Sequence, residues 1–217
     1  MFKFRQERGF LVRELSIVAV IAISLFITIR YCWLVRKRKI KPSLAMWIFF
    51  TIAVSGSLLT YLLGGDYGLL DNILGSTDVV QVVSVSIVIA VYGDKSTKFT
   101  RFDKGCLVAV LAIVVFWVLT QNHIVANILI QTIMVIAYFP VVRRLWGASE
   151  NTESFAAWIG MLLAPAVSLL SSKGVLAAVY SLRAIVSILV LLALMGRAEW
   201  RSKAACRGQV TDPAASA

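Results

Sequence analysis

Residues 138–160 read YFPVVRRLWGASENTESFAAWIG. A membrane-length apolar run ends in this stretch, and it ends on Pro140, then Arg143 and Arg144, then Trp146. A short polar segment follows, and Ser154 stands four residues before Trp158 where the next apolar run opens. Residues 28–50 repeat the pattern as TIRYCWLVRKRKIKPSLAMWIFF: aromatics and positive charges close one run, and Ser43 stands four residues before Trp47 at the start of the next. The same helix–basic turn–helix signature occurring twice in one chain predicts an internal repeat, and that repeat decides the fold.

The rest of the chain supplies the material for it. Its 217 residues are 59% hydrophobic with mean hydropathy +0.85, against about 45–50% apolar for a soluble domain. The excess lies in seven runs at about 14–35, 44–63, 68–92, 105–120, 124–142, 155–172 and 174–196. Runs of this length match the roughly 20 residues needed to cross about 30 Å of hydrocarbon, so the expected class is an all-α integral membrane protein with seven spans. The first run is too long for the apolar core of a signal peptide and no A-x-A site follows it. A basic tail after the last run argues against a lipid-anchor signal.

Charge sets orientation rather than chemistry. A net charge of +11 suggests nucleic acid, but the charges sit at helix ends, where cytoplasmic loops collect Lys and Arg. No nucleic-acid partner is expected; the partner is the bilayer. With the N-terminus outside, the cytoplasmic side carries Arg36, Lys37, Arg38, Lys39 and Lys41, then Lys95, Lys98, Arg101 and Lys104, then Arg143 and Arg144, then Arg197, Arg201, Lys203 and Arg207. The opposite side carries Lys173 and the N-terminal Lys3, Arg5, Arg8 and Arg13. The balance predicts N-out and C-in in a cell membrane, with a bacterial inner membrane the expected setting; the basic N-terminus is the one opposing feature. Cys32, Cys106 and Cys206 have no pairing or metal-ligand spacing, so neither a disulfide framework nor a metal or other cofactor is expected.

Polar residues inside the runs mark the helices that face an interior, since such groups are costly in lipid. Trp47, Thr51 and Ser55 recur every four residues in the second run. Asp71 and Asp78 lie seven apart in the third, with Gln81 one turn on. Asn127 and Gln131 lie four apart in the fifth, with Tyr138 seven further, and Tyr180, Arg183 and Ser187 follow a three–four spacing in the seventh. Each set lies along one helix face. The fourth run, GCLVAVLAIVVFWVLT (105–120), has no polar stripe and reads as lipid-facing. The chain therefore divides 3+1+3: a first three-helix bundle with its basic N-terminus (1–93), a basic loop and linker helix (94–121), a second three-helix bundle (122–196) and a polar tail (197–217). Three spans is odd, so one extra helix is needed to bring the second copy back in the same orientation. Parallel repeats of this kind are a known transporter plan. The third members of both units are expected to end at glycines, Gly93 and Gly196.

Over about 122–196, and more weakly over 14–93, the sequence resembles the PQ-loop superfamily, which includes the SWEET and SemiSWEET (MtN3/saliva) sugar transporters. The stretch IAYFPVVRRLW…NTESFAAWIGMLLAPAVSLL carries the likeness. The resemblance implies a 3+1+3 plan, an extracellular N-terminus, a central pocket and a proline-containing bend in the first helix of each triplet. The name-giving Pro-Gln is Pro140–Val141 here, and the first triplet lacks the proline. SWEET-type pockets present an Asn on the third helix of each triplet; Asp78, 15 residues before Gly93, and Arg183, 13 before Gly196, stand at similar depth. Vitamin transporters share the plan.

These residues give two readings. In the first, the protein carries a small polar solute, a sugar or vitamin, by facilitated or ion-coupled transport. Asp78, Arg183, Asn127, Gln131, Trp158 and Trp47 bind it, and Pro140 with Tyr138 forms a gating hinge, because proline removes one N–H and clashes with the preceding turn. In the second, Asp78 and Arg183 form a buried ion pair that fixes packing in a non-transporting scaffold. Trp47 and Trp158 are then interfacial aromatics, Asn127 and Gln131 interhelical hydrogen-bond partners. His123 is read as a solvated loop residue. No enzyme is expected, since H-E-x-x-H, G-x-S-x-G and Gly-rich phosphate loops are absent, and the seventh run has no lysine for a retinal Schiff base. A homo-oligomer is left open.

Overall fold

A computed structural model describes residues 2–40, 42, 44–93, 100–139, 142, 145–146 and 155–210, with side chains between 9 and 203 except those of 45 and 157. Among the described residues there are seven α-helices and no strand: α1 (Phe2–Arg36), α2 (Leu44–Leu63), α3 (Ile73–Tyr92), α4 (Arg101–Thr120), α5 (His123–Ile136), α6 (Phe155–Ser168) and α7 (Val175–Val210). Five helical segments among the described residues are long and apolar enough to cross a membrane: Gly9–Arg36, Met46–Leu63, Leu69–Tyr92 (α3 with the turn before it), Arg101–Thr120 and Val175–Lys203. The helices α5 and α6 are apolar but shorter, at 14 residues each. These apolar helices are compatible with a polytopic membrane protein.

Helix ends follow local chemistry more than hydropathy. Thr100 and Asp103 start α4 reciprocally: Thr100 Oγ1 accepts from the Asp103 N–H at 3.1 Å, and Asp103 Oδ2 accepts from the Thr100 N–H at 2.9 Å, a capping box. Gln121 takes a left-handed φ of 52° and ends α4, and Asn122 caps α5 by accepting from the Val125 N–H at 3.1 Å. These two residues make the tight turn. A 3₁₀ turn over Leu69–Asn72 leads into α3, and Asn72 caps it by accepting from the Gly75 N–H at 3.1 Å. Gly93 ends α3 as expected. Gly196 does not end α7, which continues to Val210. Hydropathy falls there, but the residues that follow still favour a helix, and Lys203 reaches Glu199 one turn back at 3.4 Å.

The helices close into a ring. In the first half α3 packs against both α1 and α2; in the second, α7 packs against both α6 and α5. Two principal contacts join the halves, α1 with α6 and α2 with α5, and α3 adds smaller ones to α6 and α7; the order around the ring is α1, α3, α2, α5, α7, α6 and back to α1. Each joining contact brings a glycine of one helix against an isoleucine of the other. A Cβ on Gly56 of α2 would stand 3.2 Å from Ile130 Cδ1 of α5, and one on Gly160 of α6 would stand 3.3 Å from Ile27 of α1. Small residues at such crossings let backbones approach where lipid supplies no hydrophobic drive between helices. Outside the ring, α4 rests on α5 and α2 and buries Cys106 and Val110. Leu107 and Ile113 also pack against the core, while Val108, Leu111, Val115, Phe116, Val118 and Leu119 face outward, as the absence of a polar stripe predicts.

Candidate functional site: a polar seam between the halves

Members of the stripes on α3, α5 and α7 meet in one hydrogen-bonded seam, Asp78, Asn127, Gln131, Tyr180 and Arg183, with Ser57 and Thr60 of α2. On α2, Ser57 and Thr60 are buried, at 1% and 0% exposure, as are Asn127 (1%) and Gln131 (5%) on α5. Asn127 Nδ2 donates to the Ser57 carbonyl and to Thr60 Oγ1, both at 2.9 Å. Gln131 Nε2 donates to Ser57 Oγ at 2.6 Å, and Gln131 Oε1 accepts from Arg183 Nε of α7 at 2.7 Å. The Arg183 guanidinium lies over the Tyr180 ring, 5.0 Å from its centroid. The Tyr180 hydroxyl in turn donates to Asp78 Oδ2 of α3 at 2.7 Å. The seam thus runs from α2 through α5 and α7 to α3, touching both halves of the ring.

Asp78 and Arg183 are brought together, but not as an ion pair. Among the described residues no carboxylate–guanidinium contact joins them; Tyr180 stands between, bonded to one and stacked under the other. Their charges act on each other at longer range and both act on the Tyr138 hydroxyl, which places Tyr138 beside the seam. Arg183 Nη1 is buried without a hydrogen-bond partner.

The tryptophans occupy apolar clusters. Trp47 is half-buried against Tyr31, ring centroids 5.1 Å apart, beside Val35, Val85 and Ile89. Trp158 packs against the cluster of Leu145, Leu191, Leu194 and Met195, which Tyr138 also joins. Thr51 donates to the Trp47 carbonyl at 2.8 Å and pairs with Ser86 at 3.0 Å. Pro140, Arg143, Arg144, Ser43 and Ser154 lie outside the described residues; the described proline within a helix is Pro165 of α6. His123 corrects its expected role. It opens α5, is half-buried, and its Nδ1 accepts from Trp117 Nε1 at 2.8 Å, because the two-residue turn folds it back onto the end of α4.

Asp71 also departs from expectation. It sits in the 3₁₀ turn rather than on the face of Asp78, and it builds a second cluster at the ring's end. Arg13 of α1 reaches its Oδ1 at 2.8 Å and Lys173 its Oδ2 at 3.8 Å, while the Asp71 carbonyl accepts from the Lys173 N–H at 2.9 Å. The Tyr61 hydroxyl donates to the Lys173 carbonyl at 2.7 Å, and Tyr67 stacks on Tyr61 at 4.6 Å. Ser16 of α1 donates to the Val167 carbonyl at 2.7 Å and to Ser171 Oγ at 3.0 Å. Together these bonds latch the first half of the ring to the α6–α7 loop. At the other end, cations cap exposed aromatics: Lys39 over Trp33 (5.1 Å), Arg36 over Tyr92 (5.8 Å) and Arg197 over Trp146 (4.6 Å).

No protein-family model, curated protein or solved structure matches the chain. The seam and the latch are what the molecule itself offers. Sequence reasoning missed Ser57 and Thr60, which form no long stripe, and read Tyr180 as part of a face rather than as the link between charges.

Proposed function

We propose that the chain is a membrane transporter of a small polar solute, built as two three-helix units, α1–α3 and α5–α7, joined by α4, on the SWEET/PQ-loop plan. One observation carries the reading: the way the ring closes. Exchanging the two units turns the α1–α6 contact into the α5–α2 contact, so the joining surfaces are related as a twofold axis between parallel repeats requires. In each unit the third helix lies between the other two. Those third helices carry Asp78 and Arg183, and charged residues within membrane helices mark solute or ion pathways.

On this reading the halves rock about the seam, and the Asp71 latch closes one mouth. The Lys and Arg excess places that mouth outside and the cation-capped aromatics at the cytoplasmic interface. Uptake by the purified protein in liposomes, across sugars, vitamins and amino acids, tests the proposal. Saturable uptake is expected for at least one solute, and Asp78→Asn or Arg183→Gln should abolish it while expression persists. Unchanged uptake in both variants would remove the seam from the mechanism. The scaffold reading has one observation in its favour: Asp78 and Arg183 Nε already hold partners within the chain.

A further inference from the structure

We infer that Arg183 is the docking point for an anionic, carboxylate-bearing ligand, which on the transporter reading above is the solute itself. A guanidinium carries five N–H donors in a planar fork. In Arg183 the Nε donor is committed to Gln131 at 2.7 Å. Gln131 is held in turn by Ser57 at 2.6 Å, and the guanidinium is steadied over the Tyr180 ring at 5.0 Å. The fork is therefore positioned by side chains of three helices, α2, α5 and α7. Its Nη1 nevertheless points at no acceptor, although it is buried.

Buried donors in folded proteins are almost always satisfied, and an unpaired charged donor is the most costly exception. The natural intramolecular acceptor is Asp78, but the Tyr180 hydroxyl takes its Oδ2 at 2.7 Å, and the carboxylate stays beyond ion-pair distance of Arg183. What remains is one unpaired donor, Nη1, on a guanidinium whose other contacts include the Tyr138 hydroxyl. A carboxylate fits there because a charged oxygen accepting from Nη1 makes a charge-assisted hydrogen bond. A hydroxyl or an amide oxygen offers a single neutral acceptor. The charge of Asp78 nearby limits affinity, as release from a transport site requires.

The test uses the purified full chain in nanodiscs, with matched probes at constant ionic strength: acetate, lactate and succinate against acetamide, lactamide and succinamide. At least one carboxylate should raise the unfolding temperature saturably, and its amide should not. Arg183→Gln should weaken that binding by about tenfold or more, the scale of a hydrogen bond to a charged group; Arg183→Lys, with the charge but not the fork, should restore only part of it. The wild-type comparison of carboxylate with amide stands even where a variant does not fold. Equal effects of acid and amide, no effect of any carboxylate, or carboxylate binding untouched by Arg183→Gln would each overturn the inference. Liposome uptake separates it from the transporter reading. Saturable flux of a neutral solute without carboxylate binding sinks the anion site alone. Carboxylate binding at Arg183 without flux of any solute sinks transport alone.

Discussion

Gln131 is the pivot of the seam, and its replacement should cost far more than that of its neighbour Asn127. Replacing Gln131 with Met keeps the approximate volume but removes the 2.6 Å bond to Ser57 Oγ and the acceptor for Arg183 Nε at 2.7 Å. The first loss is worth about 0.6 kcal/mol, and at most about 1.7, by the range measured between membrane helices. The second leaves a charged donor without a partner, at about 1.5–3 kcal/mol. Together Gln131→Met should destabilise by about 2–4 kcal/mol. Asn127→Leu also removes interhelical bonds, to the Ser57 carbonyl and Thr60 Oγ1 at 2.9 Å and a longer one to Ser57 Oγ at 3.4 Å. It strands nothing, because Thr60 Oγ1 already donates to the Gly56 and Ser57 carbonyls; its cost should stay near 1 kcal/mol. Reversible unfolding in mixed micelles measures both. Equal costs, or a larger cost for Asn127→Leu, would refute the claim that Gln131 carries Arg183.

The remaining predictions concern the latch. Asp71→Asn should cost less than about 1 kcal/mol, because Arg13 and Lys173 are 39% and 61% exposed and such pairs contribute little. It should nevertheless speed the labelling of a Ser16→Cys probe by a water-soluble maleimide, in a background without the native cysteines; an unaltered rate would mean the latch closes nothing. Gly174 has φ +81°, and a Cβ there would stand 2.8 Å from the Tyr67 hydroxyl. Gly174→Ala should therefore destabilise by about 1–3 kcal/mol in thermal melts, and an unchanged melting temperature would show that the loop relaxes freely.

Hydropathy made the helices legible because apolar length is what a bilayer demands. The second run, 44–63, coincides with α2, and the run at 68–92 spans the 3₁₀ turn and α3. It could not place the end of α7, since Gly196 breaks the apolar run without breaking the backbone ladder. The spacing of Asn127 and Gln131 did mark an interior face, and the structure puts both on it. Periodicity reports which face a residue lies on, not what stands opposite. So it could raise Asp78 and Arg183 as partners but could not place Tyr180 between them. Asp71 shares the seven-residue spacing with Asp78, yet the chain before Ile73 turns as a 3₁₀ helix and rotates it toward Arg13. Ser57 and Thr60 were invisible for a simpler reason: buried hydroxyls are unremarkable until the amides they receive are known.

Locking the two halves together tests the central claim most directly. Ser16 Oγ and Ser171 Oγ lie 3.0 Å apart across the boundary between α1 and the α6–α7 loop, a separation compatible with a disulfide between cysteines placed there. In a chain freed of Cys32, Cys106 and Cys206, Ser16→Cys with Ser171→Cys should oxidise readily, stop liposome uptake of the identified solute, and recover it on reduction. Uptake that continues unchanged through the oxidised cross-link, or a chain that moves no solute before it is cross-linked, would contradict the account of two halves rocking about a polar seam.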